Sequence, residues 1–191
     1  MADDVKATNR DDVSLSEKLD DLYELIDGIE VAMLTTRRPD GHLVSRAMQT
    51  QERRGASELW FVTNVHSHKL DELANDPHVN LAYYRDRTRE WVSVSGTASV
   101  SQDRTRIHEL YDASWKPWFP EEGGANDGSA DDPRMALVLV KPHAVVYTKK
   151  DRPMPMVLFE LGKAMLTGDA PDVADVRQVS EGELRQGDAR A

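Results

Sequence analysis

The feature that most limits the fold of this chain is a series of short β-strands joined by polar turns. The predicted element order is a helix, three strands, a helix, two strands, a helix, a long loop and a last strand. The predicted strands cover residues 31–36, 42–51, 59–62, 78–85, 91–101 and 136–147, the last interrupted at Lys141-Pro142. Because hairpins dominate and strand–helix–strand alternation is absent, we expect a mainly β fold: an antiparallel sheet closed as a small barrel with a few peripheral helices.

Helical periodicity marks the start of the folded region. A capping-box pattern at Ser14 and Glu17 begins a helix that is expected to close at Asp27-Gly28. Further helices are predicted at 103–114 and, as a short piece, at 157–166. We expect one domain over 14–166, preceded by a disordered acidic arm at 1–13 and followed by a loose polar tail at 167–191.

The predicted strand at 42–51 has two faces, and neither is cleanly apolar. One face carries Val44, Arg46, Met48 and Thr50, and the other carries Leu43, Ser45, Ala47 and Gln49. A strand with this pattern is expected at a sheet edge, at an interface or along a polar site.

Residues 58–73, ELWFVTNVHSHKLDEL, have the pattern of a strand that stops at a polar turn and becomes a helix. Apolar β-formers occupy 59–62, Thr63-Asn64 ends the strand, and Ser67 is placed to cap the helix. A helix that begins with Ser67, His68 and Lys69 offers backbone N–H groups, a hydroxyl and a positive charge, which suit a phosphate or another dianion. An ordinary capped helix with a solvated lysine is the plain alternative.

Charge and composition exclude several classes of function. The net charge of −10 and the pI near 5.0 argue against nucleic acid as a partner, so any phosphate must be held by a local cluster. Cysteine is absent, which removes disulfides and thiolate metal sites. No apolar run approaches the ~20 residues needed to span a membrane, and MADDVKATNR has no signal-peptide core. We therefore expect a soluble cytoplasmic protein with no membrane partner.

Three polar groups are expected to converge at one end of the barrel: Arg46 with Gln49, residues 63–69, and Trp91 with Ser93. Arg46 and Lys69 are the cations that would bind an anion, although a surface salt bridge would also account for Arg46. His66 and His68 do not share a helix face and have no obvious third ligand, so no metal site is expected. No serine lies in a nucleophile-elbow pattern, and no catalytic residue is assigned.

An irregular run at 115–134 contains Trp115, Trp118 and Phe119 among proline, glycine and acidic residues. Loops of this length inside a compact domain are usually functional or disordered. The aromatic side chains have two interpretations: they cover the core of their own subunit, or they line a flat aromatic ligand. Composition does not decide between them.

Four segments carry a family resemblance: VAMLTTRRPDGHLVSRAM, LWFVTNVHSHKLDEL, NLAYYRDRTREWVSVSGTASV and WKPWFP…DPRMALVLVKPHAVVY. In this order they resemble the pyridoxamine 5′-phosphate oxidase-like flavoproteins with the FMN-binding split barrel, and most closely the general stress protein 26 branch. The F-x-T-N-x-x-S-x-K pattern at 61–69 is fairly specific in its strand–helix setting, and the resemblance runs from about residue 15 to residue 166.

The resemblance implies an FMN site spread over the hairpin strand, the strand–helix turn and the tryptophans. The implied contacts are Arg46, Ala47, Met48, Gln49 and the strand onward to Gln51, then Val62, Thr63, Asn64, Ser67, His68, Lys69, Trp91, Trp115 and Trp118. Ser67, His68 and Lys69 would hold the phosphate, and Thr63 would touch the ring or the ribityl chain. The family's oxidases often have Arg in place of His68, and a flavin-contacting Gln in place of Trp91.

The expected function is that of an FMN-binding flavoprotein of the general stress protein type, acting as an oxidoreductase on an unidentified substrate. FMN is favoured over FAD because the chain has one phosphate-sized clamp and no glycine-rich dinucleotide fingerprint. The resemblance also implies a homodimer, with the 115–119 loop of one chain near the flavin of the other. Two alternatives stay open: a flavin carrier or sensor without turnover, and a barrel that holds a deazaflavin or haem. The ending GELRQGDARA lacks the oxidases' C-terminal substrate motif, so vitamin B6 oxidation is not expected.

Overall fold

The computed structural model describes residues 13–52, 59–150, 163, 166 and 175–189. The α-helices that lie wholly within these residues are α1 (Leu15–Ile29), α2 (His68–Asn75), α3 (Arg104–Leu110) and α4 (Glu181–Asp188). A 3₁₀ helix covers Ala113–Trp118. The strands are β1 (Val31–Arg37), β2 (Leu43–Gln49), β3 (Leu59–Asn64), β4 (His78–Arg85), β5 (Glu90–Ser101), β6 (Met135–Lys149) and β7 (Asp175–Ser180).

All the named strands belong to one antiparallel sheet with the order β2–β1–β4–β5–β6–β3, and β7 pairs with β6. Just beyond β2, the amide of Gln51 donates to the carbonyl oxygen of Trp60 in β3 at 3.0 Å. The two ends of the sheet order therefore meet, and the sheet curls around its core. The predicted mainly β, antiparallel fold is confirmed.

Strand β6 is continuous, so the interruption expected at Lys141-Pro142 is wrong. The pairing with β5 shifts register there instead: Ser95 lies opposite Ala144 and Gly96 lies opposite Pro142. The extra residue of a β-bulge accommodates a proline, which has no N–H to donate to the ladder. Gly96 is required at this point, because a Cβ atom on it would lie 2.4 Å from the Lys141 carbonyl oxygen.

The main core lies inside the curled sheet and is covered by α1. Leu22, Leu25 and Ile26 form the buried stripe of α1 and share one cluster with sheet residues that include Leu34 and Leu81. A second cluster lies where β3, β6, α3 and the 3₁₀ helix meet. Its members are Trp60, Ile107, Leu110, Trp115, Phe119, Met135 and Leu137. No helix among the described residues is long and apolar enough to cross a membrane.

Two helix ends differ from the predicted ones. Helix α1 starts as predicted, with the Ser14 hydroxyl accepting from the amide of Glu17 at 3.2 Å, but it runs past Asp27-Gly28. Its last residue is Ile29, and the C-cap residue Glu30, with a positive φ of 66°, turns the chain into β1. Helix α3 stops at Leu110, short of the predicted 114, because Asp112 caps the 3₁₀ helix that follows.

Residues 175–188 form β7 and α4 instead of the loose polar tail expected there. The inward residues of β7 are Asp175, Arg177 and Val179. Because two of these three are charged, the alternation does not have the apolar face that identifies a strand in a sequence. Ser180 and Glu183 form a complete capping box at the start of α4, a signal that the sequence does contain.

Other expectations for the two ends of the chain remain predictions. The acidic arm at 1–13 lies outside the described residues except for Val13. The short helix at 157–166 also lies outside them, except for Lys163 and Leu166, which are helical.

Ion pairs and a hydrogen bond fasten β6 and β7 to α1. Arg177 forms an ion pair with Asp21, and the ammonium of Lys149 lies 3.0 Å from the Asp21 carboxylate. The hydroxyl of Tyr147 donates to the carbonyl oxygen of Lys18 at 2.8 Å. Arg177 is only 2% exposed, and the carboxylate of Asp21 contributes to compensating its buried charge. These contacts make the C-terminal elements part of the domain.

This packing predicts a measurable stability contribution from α4. Leu184 is 3% exposed in the main core, so Leu184→Ala should lower the free energy of unfolding by about 2–5 kcal/mol. Urea denaturation followed by circular dichroism measures this change. Gln186→Ala, at an exposed position of the same helix, serves as the control and should change stability by less than about 0.5 kcal/mol. Equal midpoints for the two variants would mean that α4 is not packed in solution.

Candidate functional site

One pocket gathers residues from β2, β3, the start of α2 and the 3₁₀ helix. Its volume is about 280 Å³. The residues that line it are Ala47, Met48, Gln49, Gln51, Val62, Thr63, Asn64, Ser67, Lys69, Ser114, Trp115, Trp118 and Phe119. The β3–α2 turn supplies the polar part of this lining. We call its aromatic part, Trp115, Trp118 and Phe119, the aromatic wall.

The turn between β3 and α2 is held by its own polar side chains. The Asn64 side-chain oxygen accepts from the amide of His66 at 2.9 Å, and the Asn64 carbonyl oxygen accepts from the amide of Ser67 at 3.0 Å. Ser67 stands at the N-cap position of α2, as predicted, but its hydroxyl makes no capping hydrogen bond. That hydroxyl instead accepts from the ammonium of Lys69 at 2.8 Å. The first turn of α2 therefore has no side-chain cap.

The ammonium of Lys69 is fixed at the rim of the pocket. It also donates to the hydroxyl of Thr63 at 2.6 Å. Burial lowers the pKa of Lys69 below its usual 10.5, the positive charge of Arg46 lowers it further, and the carboxylate of Glu72 opposes the change. A bound anion would stabilise the charged form of Lys69 against burial and against the charge of Arg46. The site is therefore electrostatically suited to a negative group.

A second, more open cavity of about 700 Å³ adjoins the pocket and shares Ser67 and Lys69 with it. Its lining is rich in side chains that carry or can carry positive charge: Arg38, Arg46, His66, His68 and Lys69. Asp71 and Glu72 are its acidic residues. We call this cavity the cationic basin. It gives an acidic chain a local region suited to anions.

Arg46 is anchored within the basin. Its Nη2 atom donates to Glu72 Oε2 at 2.7 Å, and its Nη1 atom donates to the hydroxyl of Thr36 at 2.8 Å. The salt bridge that was the plain alternative for Arg46 is thus present, but it is largely buried rather than on the surface. Arg46 lines the basin while bonded to this partner.

The aromatic wall is built on Trp115, which is 3% exposed. Its indole N–H donates to the side-chain oxygen of Gln51 at 2.8 Å. Its ring meets Trp60 and Tyr111 edge to face, with centroids 5.8 and 5.6 Å apart. Trp118 stands at the same pocket but is 76% exposed. The core interpretation therefore holds for Trp115, which also lines the pocket. It does not hold for Trp118, which is exposed.

A buried ion pair holds the loop behind this wall. Arg134 contacts Asp132 at 2.6 Å and donates to the carbonyl oxygen of Pro120 at 2.9 Å. The Asp132 carboxylate also accepts from the amide of Gly128 at 2.8 Å. The hydrogen bonds from Arg134 lower the pKa of Asp132 to about 2, so this buried carboxylate stays ionised at neutral pH. The ion pair and these hydrogen bonds therefore hold the loop that follows Phe119 in place.

The structure brings most of the predicted site residues together. Those that line the pocket are Ala47, Met48, Gln49, Val62, Thr63, Asn64, Ser67, Lys69, Trp115 and Trp118, and those that line the basin include Arg46 and His68. The loop at 115–119, expected beside the flavin of a second subunit, lines the pocket of its own chain.

Trp91 and Ser93 line neither of these two cavities, so their expected convergence with the other groups stays a prediction. Strands β1 and β4 lie between β2 and β5 in the sheet order, and β6 separates β5 from β3. Trp91 lies at the start of β5, where its amide donates to the hydroxyl of Thr148 at 3.0 Å.

Sequence reasoning missed several polar residues of the site: Thr36, Arg38, Asp71, Glu72 and Ser114. Glu72 was missed because its helix position matches a solvated face, yet it is 7% exposed. Its spacing of three from Lys69 was the available signal, since residues three apart are neighbours on a helix. Among the described residues, no three histidine or acidic side chains come together as metal ligands.

Comparison with known proteins identifies the family. The family described as pyridoxamine 5′-phosphate oxidase like matches residues 17–172. Protein bli-3 of Neurospora crassa is 34% identical over 188 residues, which cover 96% of this chain and 90% of that protein. The chain belongs to the pyridoxamine 5′-phosphate oxidase-like family, as its sequence motifs indicated.

Solved structures show the same fold. General stress protein 26 from Bacillus anthracis is similar with a TM-score of 0.57 and 23% identity, over 68% of this chain and 92% of that one. A pyridoxamine 5′-phosphate oxidase-related, FMN-binding protein from Nostoc punctiforme is similar with a TM-score of 0.55 and 19% identity, over 72% of this chain and 87% of that one. The curled antiparallel sheet is thus the split barrel of these proteins, and the resemblance to general stress protein 26 is confirmed.

The different burial of the two pocket tryptophans predicts a large loss of stability for one substitution and almost none for the other. Trp115→Ala should lower the free energy of unfolding by about 3–5 kcal/mol, because it removes the centre of the second cluster. Trp118→Ala should change it by less than about 0.5 kcal/mol, because the side chain is exposed. Chemical denaturation of the two variants side by side, without added ligand, tests this. Similar losses in both variants would show that Trp118 also covers a core in solution.

Proposed function

We propose that this protein binds FMN between the aromatic wall and the cationic basin and acts as a flavin-dependent oxidoreductase. The observation that carries the proposal is the continuity of the two cavities at Ser67 and Lys69. FMN joins a flat ring system to a single phosphate, and this site joins an aromatic-walled pocket to a single cationic end. The name of the Nostoc punctiforme relative, an FMN-binding protein, supports the same choice.

The residues present fit the two ends of the group. The phosphate would be held by the hydroxyl of Ser67, the ammonium of Lys69, the guanidinium of Arg46 and the uncapped first turn of α2. The ring would lie among Met48, Trp115 and Trp118, with the side-chain amides of Gln49 and Gln51 available for its polar edge. FMN supplies one- and two-electron redox chemistry when it is bound. The role of the chain is to orient it, exclude water and fix the surrounding charge.

The first test concerns the identity of the cofactor. Lys69→Ala should weaken FMN binding by about 1.5–3 kcal/mol, or roughly 10- to 150-fold, because a charge-assisted hydrogen bond to the phosphate is lost. Titration with FMN followed by flavin fluorescence measures the affinity. Lys141→Ala removes an exposed lysine of β6 outside both cavities, and its affinity should equal that of the wild type.

Two outcomes of that titration would contradict the proposal: unchanged affinity in Lys69→Ala, or tighter binding of FAD than of FMN. The absorption spectrum of protein purified without added cofactor separates flavin from deazaflavin or haem. Steady-state oxidation of NADH or NADPH by the FMN-loaded protein separates an oxidoreductase from a flavin carrier or sensor.

We also propose that the protein works as a homodimer. The outer face of β1, β2 and β4 exposes a group of large apolar side chains: Val31 (46%), Met33 (43%), Leu43 (63%) and Tyr84 (52%). Met33 lies opposite Ala47 on one side and Ala82 on the other, so the apolar surface crosses three strands. Ala47 belongs to this face and also lines the pocket. A second copy on this face would cover the apolar surface and the open side of the pocket together.

A charged substitution on this face tests the homodimer. Met33→Glu should shift the protein from dimer to monomer in light scattering and should weaken FMN binding, because the pocket loses cover. Val100→Glu is the matched control, since Val100 is exposed to a similar extent (42%) and lies at the other end of β5 from the apolar face. A wild-type monomer that binds FMN tightly would refute the shared site.

A further inference from the structure

Glu72 is a buried carboxylate that no part of the proposed FMN contact set uses. It lies on α2, three residues after Lys69, and its side chain is 9% exposed. A single oxygen, Oε2, accepts from the hydroxyl of Thr36 at 2.5 Å and from Arg46 Nη2 at 2.7 Å. Arg46 Nη1 donates to the same hydroxyl at 2.8 Å. These three side chains form a closed hydrogen-bonded network that ties β1, β2 and α2 together.

We propose that Glu72 is a positioning residue for the anion end of the site, which orients the Arg46 guanidinium and allows Arg46 and Lys69 to hold their charges side by side. The inference rests on the proposed function, because the anion in question is the phosphate of FMN. It adds a residue that does not itself touch the phosphate but acts through the two cations.

The orientation follows from the geometry of the network. A guanidinium offers five N–H donors in a fixed plane. Two of these groups are directed at Glu72 and Thr36. The plane of Arg46 is thereby set, and its position in the lining of the basin is fixed relative to Lys69. A flexible arginine would lose side-chain entropy on binding an anion, whereas this one is ordered beforehand.

The charge balance follows from the neighbours of Lys69. The charged or titratable groups of the basin are Arg38 from the β1–β2 turn, Arg46 from β2, His66 from the β3–α2 turn, and His68, Asp71 and Glu72 from α2. Burial raises the pKa of Glu72, but hydrogen bonds from Thr36 and Arg46 outweigh this and hold it below 4.5. The carboxylate is therefore ionised at neutral pH. Its charge opposes the combined effect of burial and of Arg46 on Lys69.

Lys69 makes FMN affinity depend on pH. Lys69 already loses its proton at a lower pH than an ordinary lysine, and removal of the Glu72 charge lowers its pKa further. Because only the ammonium form attracts the phosphate, FMN affinity falls as the pH rises through the pKa of Lys69. In Glu72→Gln this fall must begin at a lower pH than in the wild type.

The experiment is an FMN fluorescence titration of the full chain from about pH 7 to about pH 9.5, the range below the usual pKa of lysine. Glu72→Gln should bind FMN more weakly than the wild type, with a loss that grows to roughly tenfold at the alkaline end. In a Lys69→Arg background, Glu72→Gln should change the affinity equally at all pH values, because arginine does not titrate in this range. The titration of FMN itself is common to all variants and cancels in the comparison.

Asp20→Asn is the control, since Asp20 is an exposed acid of α1 that lines neither cavity. Its pH profile should follow that of the wild type. Thr36→Val keeps the Glu72 charge but removes the hydroxyl that both partners share. It should weaken FMN binding by a constant factor across the pH range. Thermal unfolding of each variant shows whether the fold is retained, and Thr36→Val tests the orientation if Glu72→Gln does not fold.

These measurements separate failure of the proposed function from failure of the role proposed for Glu72. If the wild type does not bind FMN, the proposed function fails. If the wild type binds FMN and the profiles of Glu72→Gln and wild type are parallel, Glu72 does not set the charge of Lys69. A shift of equal size in Asp20→Asn would show a general effect of negative charge and would also overturn the inference, as would unchanged FMN affinity in Thr36→Val.

Discussion

The backbone hydrogen bonds along the two edges of β6 are the interactions on which the rest of the structure depends. One edge pairs with β5 over most of its length. The other edge pairs first with β3 and then with β7. This strand therefore joins the pocket-bearing part of the sheet to the C-terminal elements. The bulge opposite Gly96 lets one strand serve both, because it bends β6 between its two partners.

The site shows how an acidic protein can be suited to an anion. The net charge of the chain is −10, yet the acids near the site are few and their roles are specific. Glu72 is neutralised by Arg46, and Asp132 is neutralised by Arg134 behind the aromatic wall. What remains at the junction of pocket and basin is the ammonium of Lys69 and the first turn of α2. Local arrangement, rather than net charge, decides what such a surface attracts.

Much of this arrangement could be predicted from local patterns. The alternation at 91–101 and the Ser14 cap depend on neighbours in sequence, and both are observed. The strand and helix predicted within 58–73 are observed from Leu59 onward, and the structure brings Ser67 and Lys69 of this segment together. What local patterns could not predict depended on sheet order or on charged interiors. Trp91 lines neither cavity, and the neighbours of its strand are β4 and β6, not β2 and β3. Strand β7 was missed because Arg177 and Asp175 occupy its inner face.

The contact between α1 and α4 has a consequence for the order in which the native state is assembled. The ion pair between Lys18 and Glu183 joins positions 165 residues apart, and Gly187 lies so close to Leu19 that a Cβ atom there would be 2.5 Å from its side chain. A ribosome adds about 5–20 residues per second, so α1 is made many seconds before its partner. The stripe of α1 that packs against the last helix must wait for it, and the finished domain forms only after residue 188 has been synthesised. Premature termination between β6 and β7 would release a chain in which residues 144–149 of β6 lack their β7 partner and could pair with other strands.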